Sequence, residues 1–135
     1  MKSHNALVVD DSMLIRHTVC RYLEERGFNV ESACNGEEAL AKLKGFEPEI
    51  IFTDLSMPRM NGVEFLTVLK NKPETACIPT VILAGKSSTN PSTAEHLANY
   101  VMFKDIDIEV QLRNAMIHVL GTDVAPVKAE KVRVH

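Results

Sequence analysis

Two hydrophobic rhythms alternate along the chain. Residues 6–9, 28–33, 50–54, 79–84 and 100–103 form short runs rich in apolar side chains. After each run, apolar residues return every three or four positions instead. The first rhythm is that of a buried strand and the second that of an amphipathic helix. The punctuation agrees. Asp11 or Ser12 stands at a helix cap position, followed by Leu14, Ile15, Val19, Tyr22 and Leu23, with Gly27 as the stop. Asn35-Gly36 makes a turn into a helix carrying Ala39, Leu40 and Leu43 that ends near Gly45. Asn61-Gly62 opens the next, with Val63, Leu66, Val68 and Leu69 on its apolar face and Pro73 beyond its end. A polar loop at 85–90 leads to Pro91, which starts a short helix to about Asn99. A final helix over 106–120 carries Ile108, Leu112, Ala115, Met116 and Val119.

Apolar strands joined by helices require a parallel sheet covered on both faces, so the fold class is α/β. Right-handed crossovers put helices on each side of the sheet. The 135 residues suit one domain with one substantial core, expected over 1–121. Residues 122–135 lack an apolar period and carry Lys128, Lys131 and Arg133. A flexible tail is expected there, with a weakly basic docking peptide as the sharper reading.

Composition narrows the classes. A net charge of -3 and the absence of Trp argue against a nucleic-acid or membrane-surface footprint. No apolar run reaches the roughly 18 residues of a membrane span, and a cytoplasmic location is expected. The three cysteines, Cys20, Cys34 and Cys77, lack metal-type spacing and are expected to be reduced and mostly buried.

The chemistry gathers at strand ends. In a parallel sheet all carboxyl ends share one edge, where ligands of open α/β sheets bind. The first strand ends at Asp10-Asp11, the third at Asp54, the fourth at Ala84 and the fifth at Lys104. If the first, third and fifth strands lie side by side, three carboxylates and one ammonium meet. Each residue alone reads as a cap, a loop acid or a surface charge; together at one edge they read as a site. Close acids raise one another's pKa unless a cation joins them. An all-oxygen set without His or Cys suits Mg²⁺ or Mn²⁺ rather than zinc. A carboxylate beside such an ion and a lysine can attack phosphorus to give an acyl phosphate.

Val8-Val9-Asp10-Asp11-Ser12, Asp54 with Met57-Pro58 and Asn61-Gly62, and Lys104 carry a resemblance that spans residues 5–120. The sequence resembles the receiver domains of two-component response regulators, most closely the single-domain CheY-like kind. That resemblance implies a flavodoxin-like sheet of five parallel strands in the order 2-1-3-4-5. It implies Asp54 as phosphoacceptor, and Mg²⁺ ligated by Asp11, Asp54 and the backbone carbonyl of Ser56, with Asp10 acting through water. Lys104 would contact the phosphoryl group. A sensor histidine kinase or phosphotransfer protein would be the donor. A protein target would dock on the fourth helix, fifth strand and final helix, residues 91–120, including Tyr100. The chain would be a signalling domain rather than an enzyme, assisting its own phosphorylation and dephosphorylation.

Three positions depart from the family pattern. Ala84 stands where a Thr or Ser hydroxyl normally meets the phosphoryl group, a charge-assisted bond worth about 1.5–3 kcal/mol. Val101 replaces the inward-swinging aromatic, and strand alternation is expected to turn Tyr100 and Phe103 to the other face. Asp105 replaces the proline after the lysine. The alternative function is a receiver-like binding module whose output does not depend on Asp54. Lys86, Ser87 and Ser88 offer either a substitute phosphoryl contact or a solvated loop. An aspartate-nucleophile phosphatase is disfavoured because Ser56, two residues after Asp54, cannot protonate a leaving group. A nucleotide-binding enzyme lacks its Gly-rich loop after the first strand.

Overall fold

The structure is a computed structural model that describes residues 4–85 and 95–121. The elements run β1 (His4–Val9), α1 (Met13–Glu24), β2 (Phe28–Ala33), α2 (Gly36–Lys42), β3 (Ile50–Asp54) and α3 (Gly62–Lys70). Then come β4 (Thr80–Ala84), a 3₁₀ turn at Glu95–Leu97, β5 (Tyr100–Phe103) and α4 (Ile108–Leu120). The five strands form one parallel sheet in the order β2-β1-β3-β4-β5. This is the order that the resemblance implies; β4 therefore separates β3 from β5, and the separate condition that the first, third and fifth strands lie side by side is corrected. The crossover rule places the order reversal between β1 and β3, and the crevice forms there.

Alternation along each strand divides the core in two. Ala6, Val8, Phe52, Val81, Leu83 and Met102 pack with Val19, Leu23, Leu112 and Met116 of α1 and α4. Leu7, Val9, Ile51, Ile82 and Ala84 pack with Ala39 of α2 and Phe65, Leu66 and Leu69 of α3. β3 and β4 are buried at every position because helices cover both their faces. Each fully buried Leu, Ile or Phe contributes about 1.5–3 kcal/mol, and truncating Phe52 to Ala would cost about 3–5 kcal/mol. The edge strand β2 is only partly buried, which is why it carries Asn29, Glu31 and Ser32.

The caps explain where the helices start. Ser12 accepts from the Ile15 N–H and is the N-cap of α1. Asn35 caps α2. Asn61 caps α3 and exchanges bonds with Glu64 in a capping box. The last helix begins two residues later than its apolar pattern suggests, because the Asp107 carboxylate caps it at Val110. Of the helix expected from Pro91, residues 91–94 lie outside the described residues, and Glu95–Leu97 is a 3₁₀ turn. The polar loop at 86–90 and the expected tail at 122–135 also lie outside them.

Two expectations are corrected. Cys34 and Cys77 are exposed and only Cys20 is half-buried, so the thiols are free but not mostly buried. Burial, aided by Glu24, pushes the Cys20 thiol up to about 11, which keeps it unreactive at neutral pH. Tyr100 and Met102 pack on the α1–α4 side and Val101 on the α2–α3 side. Phe103, two residues beyond Val101, shares its face by alternation and sits at the strand end, 41% exposed. Of Tyr100 and Phe103, only Tyr100 faces away from Val101.

Candidate functional site

The carboxyl ends of β1, β3 and β5 deliver Asp10, Asp54 and Lys104 to one place. The lysine ammonium lies 3.0 Å from Asp10 Oδ2 and 3.3 Å from Asp54 Oδ1. Although β4 intervenes, the four-carbon stem of Lys104 spans it. The Lys104 N–H donates to the Ala84 carbonyl at 2.7 Å, which fixes where that stem begins. Asp11, exposed at the start of the β1–α1 turn, completes the group. One oxygen each from Asp10, Asp11 and Asp54 lie within 4.8 Å of one another. All four residues expected from sequence thus come together.

Main-chain donors hold the two inner carboxylates. Asp10 is fully buried, and its Oδ1 accepts from the Ser12 N–H at 2.8 Å. Asp54 is 3% exposed, and its Oδ1 accepts from the Leu55 N–H at 2.8 Å. The cluster reaches solvent chiefly through the exposed Asp11. Burial and then the neighbouring Asp10 push the Asp54 carboxyl up from 3.8 to about 6, against the opposing pull of Lys104 and Leu55. Burial alone would lower the Lys104 pKa, but its bonds and charge attraction to Asp10 and Asp54 raise it above the ordinary lysine value. The lysine is therefore a fixed positive charge.

Supporting residues escaped the sequence reading. Arg16, one turn into α1, donates from Nη1 to the Asp10 carbonyl at 2.7 Å and braces the β1–α1 turn. The Thr53 hydroxyl, buried on the α2–α3 side, donates to the Asp54 carbonyl at 3.0 Å. Nothing in an isolated arginine or a strand threonine signals these contacts. Gly62 was legible as a helix opener but not for its tighter role. A Cβ there would run into the Asp54 carbonyl oxygen and come within 2.7 Å of Leu55 Cα. Only glycine lets α3 begin directly behind the central aspartate. The backbone carbonyl of Ser56 belongs to the same β3–α3 loop.

The donor chemistry fits a small hard cation. Bonds of about 2.1 Å to Mg²⁺ put opposite oxygens of an octahedron about 4.2 Å apart, comparable to the spread of these carboxylates. Neither His nor Cys belongs to the group. Three acids facing one lysine leave excess negative charge for a cation to neutralise.

A doubly wound sheet with buried acids and a lysine at its carboxyl edge defines an α/β domain with an acidic ligand crevice at its switch point. The family model for the response regulator receiver domain matches residues 6–116, and the chain belongs to that family. It is 38% identical over 80 residues to Protein PilG of Pseudomonas aeruginosa, covering 59% of each chain. It is 41% identical over 86 residues to a protein-glutamate methylesterase/protein-glutamine glutaminase of Treponema denticola, covering 62% of this chain and 23% of that one. The matched region thus spans less than two thirds of these curated relatives. The chemotaxis response regulator CheY4 of Vibrio cholerae superposes with a TM-score of 0.76 at 29% identity, covering 87% of this chain and all of that one. The protein is a CheY-like receiver of two-component signalling. Among the described residues, no helix is long and apolar enough to cross a membrane.

Proposed function

We propose that Asp54 accepts a phosphoryl group from a sensor histidine kinase or phosphotransfer protein in a Mg²⁺-dependent reaction. The observation that carries this reading is the convergence of Lys104 on both Asp10 and Asp54 within 3.3 Å. Asp11, Asp54 and the Ser56 carbonyl would hold the ion, with Asp10 assisting through water; Mn²⁺ would serve in its place. The bound ion would neutralise charge on the transferring group. A carboxylate oxygen of Asp54 attacks phosphorus, the bond from phosphorus to the donor imidazole nitrogen breaks, and an acyl phosphate forms. Lys104 moves its ammonium onto the phosphoryl oxygens, replacing a carboxylate partner with a more highly charged one. The main-chain donors at Ser12 and Leu55 aim Asp10 and Asp54 before the transfer. Water then attacks the acyl phosphate and resets the switch, so the chain assists both its loading and its clearing without being an enzyme.

The donor and a downstream protein target would meet the chain in the cytoplasm, the target on the surface built by β5 and α4. Phe103, Ile106, Val110 and Ile117 are exposed apolar residues on that side. A binding module with output independent of Asp54 is not favoured, because burying two carboxylates beside a lysine is costly without a use for them. Incubation with a small phosphodonor and Mg²⁺, followed by intact mass measurement, tests the proposal. One added phosphoryl group, absent in Asp54→Asn, is expected; no mass gain in the wild type would overturn it.

A further inference from the structure

The usual path from a receiver's acid cluster toward β5 is broken here, since Ala84 lacks a hydroxyl and Val101 a ring. A second path leads elsewhere. Leu55 donates to the Asp54 carboxylate at 2.8 Å, and the Leu55 carbonyl accepts from the Gly62 N–H at 3.0 Å. Those two bonds close residues 55–62 into a loop with both ends clamped beside Asp54. Its far side rests on α2. The Met60 carbonyl accepts from the Gly36 N–H at 3.0 Å. Gly36 and Met60 pack so closely that a Cβ at 36 would fall 2.7 Å from Met60 Cγ and 2.9 Å from its carbonyl oxygen. Arg59, between the clamped ends and this contact, takes a left-handed backbone with φ of 67° and pairs with Glu37 at 2.9 Å. Arg59 is the one non-glycine residue with positive φ among the described residues. A loop that holds such a conformation against two anchors is a candidate two-state element.

We infer that the first turn of α2, rather than β5, moves with the phosphorylation of Asp54, through the loop tip at Arg59 and Met60. This inference rests on the phosphoacceptor reading above and adds the route by which the signal leaves the site. Altering the Asp54 carboxylate changes what Leu55 N–H bonds to. Because the Leu55 carbonyl is tied to α3, the displacement passes along the loop to Met60 and Gly36. The exposed Arg59–Glu37 pair contributes little by itself. The main-chain bond and the Gly36–Met60 contact carry the coupling. The competing route runs through Lys104, whose backbone is tied to Ala84. Its flexible four-carbon stem takes up small shifts of the ammonium before they reach β5.

Amide NMR of the whole chain, titrated with Mg²⁺ and then beryllofluoride, tests this. Shifts at Asp11, Leu55 and Ser56 report ligand binding itself. The inference expects comparable shifts at Gly36, Glu37 and Glu38, with Tyr100 and Met102 nearly still. Gly36 has no positive φ, so Gly36→Ala suits the helix and strains only the Met60 contact. That variant should keep the site shifts and lose most of those in α2. Should it fold poorly, Arg59→Gly adopts the same backbone without strain and should likewise damp the α2 response. Site shifts accompanied by movement at Tyr100 and Met102 but not at Gly36–Glu38 would overturn the inference alone. Silence at Asp11, Leu55 and Ser56 would overturn the phosphoacceptor reading, and the inference with it.

Discussion

Replacing Asp54 by Asn should make the metal-free protein more stable, and by an amount that depends on pH. The Asp54 carboxyl has a pKa of about 6 in the folded chain against an ordinary 3.8, because burial and Asp10 disfavour its charge more than Lys104 and Leu55 favour it. Each tenfold change in proton affinity corresponds to about 1.4 kcal/mol, so the ionised side chain costs about 3 kcal/mol of folding free energy. The sign follows from proton binding. Below about pH 4 the group is protonated folded and unfolded alike, and the cost is absent. Between about pH 4 and 6 the unfolded chain gives up its proton first, and the cost grows. Above about pH 6 it is present in full.

Asn is neutral throughout and keeps an acceptor for the Leu55 N–H. Urea denaturation in a chelator should therefore show Asp54→Asn about 2–3 kcal/mol more stable than wild type at pH 7.5, with the two converging at pH 4. Adding Mg²⁺ should raise the wild type toward the variant, since a cation removes the repulsion that the substitution removes. Equal stabilities at pH 7.5, or a gap that persists unchanged at pH 4, would refute the electrostatic account. A variant less stable than wild type at pH 7.5 would mean that the Lys104 pairing outweighs burial.

Lys104→Ala should abolish labelling by a phosphodonor and cost about 3–5 kcal/mol at pH 7.5 without metal, because Asp10 is left buried without its cation; denaturation with and without Mg²⁺ separates the two effects. Gly62→Ala should cost about 3 kcal/mol or more, since its Cβ has no space behind Asp54, and should weaken Mg²⁺ binding by shifting Leu55. A thermal melt and a Mg²⁺ titration followed by amide shifts check it. Asn61→Ala should cost about 1 kcal/mol by opening the capping box of α3. A melting curve indistinguishable from wild type would show that the box contributes nothing.

The fold was legible because burial on both faces writes itself as uninterrupted apolar runs, as in Ile50-Ile51-Phe52. Asp10, Asp11, Asp54 and Lys104 were legible for a related reason. Each ends such a run, and parallel strands bring their ends to one edge. What the pattern does not encode is distance across the sheet. It could not show that β4 would separate Lys104 from Asp54, nor that a long lysine stem would make this immaterial. The expectation that Phe103 faces away from Val101 misapplied the strand's period of two, since residues 101 and 103 share a face. The bracing bonds from Arg16 and Thr53 end on main-chain carbonyls, and side-chain patterning contains no trace of a main-chain acceptor. Cys34 and Cys77 lie outside the strands and helices, where hydrophobic rhythm says nothing about exposure.

The cluster makes poor sense as a device for stability. Two nearly sealed carboxylates share one ammonium, and Asp10 takes no solvent at all. Removing such charges from water costs several kcal/mol per ion, and replacing a buried ion pair with well-packed apolar residues is often neutral or stabilising. The raised Asp54 pKa is that cost expressed as proton affinity. The same penalty favours whatever restores the missing positive charge, and penalises a neutral ligand that cannot. A divalent cation would relieve the repulsion, and the phosphoryl group proposed for Asp54 would move negative charge from the buried carboxylate toward Lys104. The electrostatic cost of the acid cluster and the phosphoryl chemistry proposed for it would have one origin, the desolvation of Asp10 and Asp54 at the crevice between β1 and β3.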